Sequence, residues 1–597
     1  MNIKEKIIKI MLKRAFWIKS HKSLFIVLFV GFILITGIIG ELLYHKYVLD
    51  SIVKSISIFT LNPPDINIFT FISFIMATIL VVGGFVWLIL KDFINKKLYN
   101  FMLKSDNIIV FGFGRINKAF LENLKKDKDF NKNVIVIDKE EKDFEEFLEK
   151  GFLFLKKEIT EDFVKSLNLE NTTDIIIALG NDILNMDVGL QIIENKNNNK
   201  EMKLLIHISK NEMNEFFFDR INKKNMPINI KFFSFYTEIV NNLFDNYFTK
   251  LVPYEYAKLN SNKKVMKIAI IGNSNLNIEI IKRIVMNFIF PNNIVICLFL
   301  IDENDKEFKE RVEFETNYSN RYFPFIRLET RKLNYSLLKD NNFWNDEDLV
   351  DIIVGFEEEN KNLEIAIDLF EKNFVHNDNY PNIFIAMYEN LLLEKEKTKR
   401  FRNFFEFANV EKVFNVENLL EDKKLAIAKK INCYYRQEKN CNEKKANELW
   451  YSDVYTSYRD KISSIAQTDH INFKLLSLGF KKENLNFKKY EEKLDKIKQE
   501  YLSKCNANEL EEITKNDKFF EKFLNSGDFY TLCNTEHRRW VAYHIVNNWK
   551  YGKKDKDLKT HDCLTGFKNF NKETQKNFVY DFNAYYNILE YLENKRG

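Results

Sequence analysis

Two uncharged apolar runs constrain this chain more than any other feature it carries. "SLFIVLFVGFILITGIIG" covers Ser23 to Gly40 and continues into Glu41-Leu42-Leu43-Tyr44, and "INIFTFISFIMATILVVGGFVWLIL" covers Ile66 to Leu90. A bilayer core of ~30 Å takes ~20 apolar residues in helix. A helix buried in a water-soluble protein rarely runs so long without a polar face. The two runs predict a membrane α-hairpin over residues 23–98 behind a basic N-terminus, residues 1–22. A cleaved leader fits poorly, because no small-residue cleavage site follows the first run and a second run comes soon after. Lys4, Lys6, Lys9, Lys13, Arg14, Lys19 and Lys22 precede the first run, and Lys91, Lys96, Lys97 and Lys104 follow the second. Between them lie only Lys46 and Lys54. The positive-inside rule therefore places both termini in the cytoplasm, with two spans in the inner (plasma) membrane.

The connection "HKYVLDSIVKSISIFTLNPPD" contains no glycine. A potassium filter is a glycine-bearing strand whose successive carbonyls face the ion, so this loop lacks that chemistry. "SIVKSISIFTLN" reads either as a short re-entrant helix with Ile52, Ile56 and Phe59 on one face, or as an interfacial loop closed by Pro63-Pro64.

The remaining chain is too long for one core, and three or four domains are expected for 597 residues. Acidic and basic residues are interspersed and the net charge is only +5, which argues against a nucleic-acid polymer as partner. The six cysteines (Cys297, Cys433, Cys441, Cys505, Cys533 and Cys563) form no C-x-x-C pair. Reduced thiols are the expectation in a cytoplasmic body, and no metal site is expected from the scattered histidines.

"NIIVFGFGRINKAFLENL", from Asn107, is a buried strand, a glycine turn and an amphipathic helix; "NVIVIDKE" is a second strand ending in Asp138. This is the opening of a dinucleotide-type fold. Gly112 permits the tight turn, Gly114 lets backbone approach a phosphate, and the following helix, beginning near Arg115, offers its N-terminus. Asp138, 24 residues after Gly114, suits a ribose hydroxyl pair. Asn117 stands where the fingerprint has its third glycine. "GFLFLKKEIT", "DIIIALGNDILN", "KLLIHISK" and "IKFFSFY" supply further strands, so a parallel sheet covered on both faces is predicted. The candidate cofactor residues are Gly112, Gly114, Arg115, Asn117, Asp138 and Asp182.

Residues 105–250 resemble the TrkA-N, or RCK, domain that regulates potassium channels and transporters. Gly112 and Gly114 match its phosphate turn, Asp138 its acid, and Asp182 and Asn185 its D-x-x-N; Glu158-Ile159-Thr160 stands where the family has Asp-Ala-Thr. The resemblance implies a nucleotide ligand: NAD(H), ATP/ADP or a cyclic nucleotide.

"KVMKIAIIGNSNLNIEIIKRIV", "IVICLFLIDEND", "DIIVGFEEENKNLEIAIDLF" and "NIFIAMYE" repeat this pattern about 160 residues later in the chain. Ser274 occupies the position of Gly114, so residues 264–435 are expected to form a second, degenerate Rossmann-like domain that binds nothing. Tandem units of this kind are typical of RCK assemblies, which implies a homo-oligomer.

From about Asn440 the strand signals stop. Residues 440–597 read as all-α, and in "EHRRWVAYHIVNNWKYGKKDKDLKTHDCL" Gly552 is a plausible helix C-cap. Trp540 and Trp549 read as core residues. An alternative is an anion site in which Arg538, Arg539, Lys553 and Lys554 hold phosphate while Trp or Tyr stacks on a base. The stretch resembles the RyR domain, the repeat named from ryanodine receptors, over residues 528–595. His537, Trp540, Trp549, Tyr551, Gly552, His561 and Leu564 match its pattern, while Asn548 replaces a glycine and Asp562 a proline. The ligand candidates there are Arg538, Arg539, Trp540, Trp549, Tyr551, Gly552 and His561.

The fold class expected is a membrane α-hairpin plus α/β: two tandem doubly wound Rossmann-like domains and a C-terminal all-α RyR-like domain. The arrangement resembles bacterial two-span, TrkA-N, RyR-domain membrane proteins. The functional expectation is a non-enzymatic, ligand-regulated membrane protein, channel-like in layout, whose cytoplasmic domains sense a small anionic ligand. Regulation of potassium transport, or a membrane effector in stress or anti-phage signalling, would fit it. The alternatives are a membrane-tethered scaffold with vestigial Rossmann units and an NAD-dependent enzyme.

Overall fold

The computed structural model describes residues 22–43, 48–60, 67–140, 144, 147, 150–195, 202–220, 229–258, 261–292, 294–377, 379–389, 399–421, 423–436, 441–450, 458–479, 487–513 and 517–594. The chain divides into two units: residues 1–208 with 227–232, and residues 209–226 with 233–597.

The first unit opens with three helices: α1 (Lys22–Leu42), α2 (Val48–Ser57) and α3 (Ile68–Met102). A capping box starts α3. The Asn67 side chain accepts the Phe69 and Thr70 amides, and the Thr70 hydroxyl accepts the Asn67 amide. Among the described residues no helix is long and apolar enough to cross a membrane. The helical reading of "SIVKSIS" is right, and Ile52 and Ile56 share a face that is exposed while Ser51 and Ser55 are buried; Phe59 is partly buried in the turn that follows. Pro63-Pro64 lies outside the described residues.

A six-stranded sheet follows: β1 (Asn107–Phe111), β2 (Asn133–Asp138), β3 (Leu153–Lys156), β4 (Thr172–Ile177), β5 (Lys203–His207) and β6 (Asn229–Phe233). Its order is β3-β2-β1-β4-β5-β6. All five residues of β1 are buried, which is why it reads as an unbroken apolar run rather than an alternating one. Helices α4 (Arg115–Lys126) and α5 (Asp182–Asn195) follow β1 and β4, and α6 (Asn211–Arg220) lies between β5 and β6 in the chain.

The second unit holds α6, then α7 (Phe235–Leu251) and the repeat: β7 (Val265–Ile271), α8 (Asn275–Asn287), β8 (Val295–Asp302), α9 (Asp305–Thr316), β9 (Ile326–Lys332), β10 (Leu349–Val354), α10 (Glu359–Asn373), β11 (Asn382–Ala386) and β12 (Phe404–Phe407). The order β12-β11-β10-β7-β8-β9 reproduces the first sheet strand for strand. The two six-stranded parallel sheets bear out the tandem Rossmann-like reading.

The C-terminal part contains α11 (Lys423–Tyr435), α12 (Tyr458–Asp469), α13 (Ile471–Ser477), α14 (Asp528–Val546) and α15 (Asn583–Asn594). Among the described residues its only strands are one parallel pair of two residues each, β13 (Lys550–Tyr551) and β14 (Thr560–His561). Its core is aromatic-rich: Tyr501 stacks on Phe529, and Phe523 packs against Phe567, Phe578 and Phe582. Two buried ion clusters tie it to the second α/β fold and to itself. Asp469 pairs with Arg283 of α8 and with Lys424 of α11. Glu536 of α14 pairs with Lys474 of α13 and with Arg539.

Two sequence expectations are corrected here. Cys433 and Cys441 form a disulfide with their Cα atoms 5.8 Å apart, so not all thiols are reduced. α14 does not end at Gly552. It ends at Asn547, where Asn548 takes a left-handed φ of 68°. Asn is one of the few side chains that tolerate this conformation.

Candidate functional site

The two glycines after β1 serve different ends. Gly112 has φ +94°, and a Cβ there would meet the Ala178 carbonyl oxygen at 2.4 Å. It is required by the fold. Gly114 has φ −78° and caps α4 in an extended conformation, with no side-chain hydrogen bond to the helix. A Cβ at Gly114 would meet nothing within 4 Å. The space above it is open, and Gly114 brings no side chain to cap the first turn of α4. A helix N-terminus of this kind attracts anions through its N–H donors and the helix dipole.

Asp138, at the end of β2, holds the turn. One of its oxygens accepts the Phe113 amide at 2.6 Å and the other the Glu140 amide at 2.9 Å. A carboxylate has about four acceptor positions, so capacity for a pair of hydroxyls remains. Asn117 does not reach the open face. It is fully buried beneath the turn, where its amide donates to Phe111 O at 2.9 Å and Gly112 O at 3.0 Å. What reads as a missing glycine is a clamp on the loop from below.

β4 forms the opposite wall. The Asn185 side chain accepts the Leu179 amide at 2.8 Å and donates to His207 O at 2.9 Å, tying the ends of β4 and β5 together. Asp182 opens α5, and its carboxylate lies 4.0 Å from His207 Nδ1. Burial lowers the His207 pKa, opposed by the Asp182 charge, so the ring is neutral near pH 7. His207 was missed in the sequence because a single histidine ending an apolar strand carries no motif. Arg115 is exposed at the first turn of α4. Thr160 caps the helix Glu161–Lys165 through the Phe163 amide. The grouping lies at the carboxyl ends of β1 and β4, where the strand order reverses and ligands of such sheets bind.

The repeat supplies an internal comparison. Gly272 (φ +107°), Asp302 and Asn277 stand where Gly112, Asp138 and Asn117 do, with the same bonds: Asp302 accepts the Asn273 amide at 2.8 Å, and Asn277 donates to Ile271 O and Gly272 O. The difference is at the helix cap. Ser274 accepts the Asn277 amide at 3.1 Å and donates to Gly355 O, so the chain caps its own helix. Phe356 lies against Gly272, and Arg311 bonds Asn273 and Asn275 across the turn. The degenerate copy is filled by its own side chains.

The C-terminal candidates divide by burial. Arg539 is 1% exposed and bonds Glu536 through Nε at 3.0 Å and Nη2 at 2.9 Å. Arg538 donates to Phe290 O at 3.1 Å and lies over the Phe325 ring. Neither guanidinium is offered to solvent as an anion site would need. Trp540 packs against His537, His544 and His561, and the buried Trp549 against His544. These rings build the local core. His537 bridges Asp581 and Thr565 O. Tyr551 is 45% exposed with Arg321 over its ring, Gly552 lies against Thr560, and Lys553 and Lys554 are exposed. His561, Asp562 and Cys563 bring potential ligand atoms within 4.8 Å of one another, but His561 Nδ1 already accepts the Cys563 amide at 3.0 Å.

The fold and the turn are those of a Rossmann-type nucleotide-binding domain. Residues 108–221 match the TrkA-N domain, so this part of the chain is a TrkA-N domain. The match covers the first α/β fold from β1 to α6, leaving out β6, and does not reach the second fold or the C-terminal helices. No curated protein matches the chain.

Proposed function

We propose that this chain is a nucleotide-responsive, membrane-anchored regulator of potassium or other cation transport, acting as a homo-oligomer without catalysing a reaction. The observation that carries the nucleotide reading is the contrast between Gly114 and Ser274. Two copies of one fold keep the same turn, acid and clamp, yet the N-cap residue of the degenerate copy, Ser274, caps its helix with a side chain where Gly114 has none to offer. The first copy leaves that end to a ligand, with Gly114 and the first turn of α4 at its phosphates and Asp138 at its ribose. The TrkA-N match supports the regulatory assignment. The exposed apolar surface of α1–α3 supports a membrane anchor, with both termini on the cytoplasmic side. The C-terminal helices, which resemble an RyR domain, serve as the output or a second sensor; a membrane effector role in stress or anti-phage signalling would use the same layout.

Isothermal titration of the full chain in nanodiscs with NAD⁺, NADH, ATP, ADP and a cyclic dinucleotide tests the site. We expect one of these to bind, and Gly114→Asp to abolish the binding while leaving the melting temperature unchanged. A wild-type chain that binds none of them, or a Gly114→Asp chain that binds as well as wild type, would overturn the reading. Turnover of NADH by the purified chain would overturn the non-enzymatic part alone.

A further inference from the structure

The hairpin is built inside out, and α2 shows it most clearly. Among the described residues, 17 of the 27 exposed large apolar side chains lie between Leu28 and Val82. On α2, Ile52, Val53 and Ile56 are 36%, 63% and 55% exposed, while Ser51 and Ser55 are at 0%. Thr70 and Ser73 of α3 are also fully buried. In water this polarity is upside down, since apolar surface drives burial and hydroxyls prefer solvent.

The internal contacts fit a setting without water. Ser55 donates to Ser51 O at 2.6 Å, Thr36 to Phe32 O at 2.8 Å, Thr78 to Phe74 O at 2.8 Å, and Ser73 to Ile33 O. Each hydroxyl is satisfied by a helix carbonyl, as the hydrocarbon region demands. Asn67 closes the end of α1 as well as capping α3, donating to Gly40 O at 2.7 Å. The helices meet through small residues: a Cβ on Gly37 would lie 3.1 Å from Ser73 Oγ and 3.2 Å from Ser55 Cβ, and one on Gly40 2.6 Å from Thr70. Close approach through small and hydroxyl residues is how helices associate where lipid removes the hydrophobic drive between them. α2 has ten residues, about 15 Å of helix, half of a bilayer core.

From this geometry we infer that α2 is a re-entrant half-helix whose Ile52–Val53–Ile56 face contacts lipid acyl chains. It wedges against α1 through Ser55, at Gly37, rather than lying outside the membrane. The inference rests on the membrane reading above, and it adds a surface and a partner to it.

Nitroxide labels on Val53→Cys, Ile56→Cys and, on α3, Ile75→Cys test it in the full chain reconstituted in phosphatidylcholine–phosphatidylglycerol vesicles. Collision rates with oxygen and with a water-soluble nickel chelate are compared. We expect oxygen collisions several-fold above nickel collisions at all three sites. Nickel access at Val53 and Ile56 with oxygen access at Ile75 would place α2 in water and overturn the inference while sparing the membrane anchor. Low access to both reagents at Val53 and Ile56 would mean that a second copy covers the face, and would also overturn it. Nickel access at all three sites would overturn the inference and the membrane reading together. The labels sit on exposed positions, so the folding of each variant is checked by an unchanged melting temperature.

Discussion

At the scale of single residues, the glycine turn separates folding from binding. Gly112→Ala places a side chain at φ +94° and 2.4 Å from a carbonyl oxygen. It is expected to lower stability by about 1–3 kcal/mol or more, read by denaturant unfolding. Gly114→Ala, at an ordinary φ with open space above it, is expected to leave stability within about 0.5 kcal/mol and to weaken nucleotide binding in titration. Glu536 makes the second residue-scale prediction. Burial alone would raise its pKa, but Arg539 and Lys474 outweigh burial and bring it from the ordinary 4.5 to about 2. The folded value lies below the unfolded one, so this stabilisation is complete above about pH 4.5 and is lost as pH falls toward 2. Tryptophan fluorescence during acid titration should show the C-terminal helices losing packing in that window. Glu536→Gln, which leaves two buried cations unpaired, should cost about 3–5 kcal/mol already at neutral pH. These roles were unevenly legible in the sequence. Gly112, Gly114 and Asp138 act within one local strand–turn–helix and could be read there. Asn117 could not, because its partners are carbonyls beneath the loop. Arg539 read as a free cation because its burial beside Glu536, which also pairs with Lys474, is set by the packing of α13 on α14 and not by local sequence.

At the scale of elements, strands were legible and polarity was not. β1, β4, β7 and β10 are buried on both faces and show as apolar runs wherever a parallel sheet is covered by helices. For α2 the spacing correctly grouped Ile52 with Ile56, but spacing says only which residues share a face, and the surrounding medium decides which face turns inward. The clip between α11 and the segment after it was hidden for another reason. Cys433 and Cys441 have no signature spacing, and only the folded structure shows their Cα atoms 5.8 Å apart. Under denaturing, non-reducing conditions a thiol reagent should therefore modify four cysteines, Cys297, Cys505, Cys533 and Cys563, and leave two unmodified. By loop-closure entropy, replacing Cys433 and Cys441 together with serine is expected to cost about 2 kcal/mol.

At the scale of the whole molecule, the second unit behaves as one cooperative body if its ion clusters hold. Asp469 is nearly buried between Arg283 of the α/β repeat and Lys424 of α11. Asp469→Asn leaves both cations short of a partner. It is expected to lower the unfolding transition of the repeat and of the C-terminal helices together, by about 3 kcal/mol, as read by hydrogen exchange on α8 and α12. Separate losses in the two regions would mean that the junction is not what unites them. The division of the chain bears on how the molecule can be taken apart. The sequence passes from one unit to the other at 208/209, again at 226/227 and again at 232/233. No single cut yields both units whole. A fragment ending at residue 208 lacks β6, and one ending at 221, where the family match stops, lacks it too. Dissection by truncation would thus report on a sheet missing its edge, and a failure of such a fragment to bind nucleotide would say nothing about the intact chain.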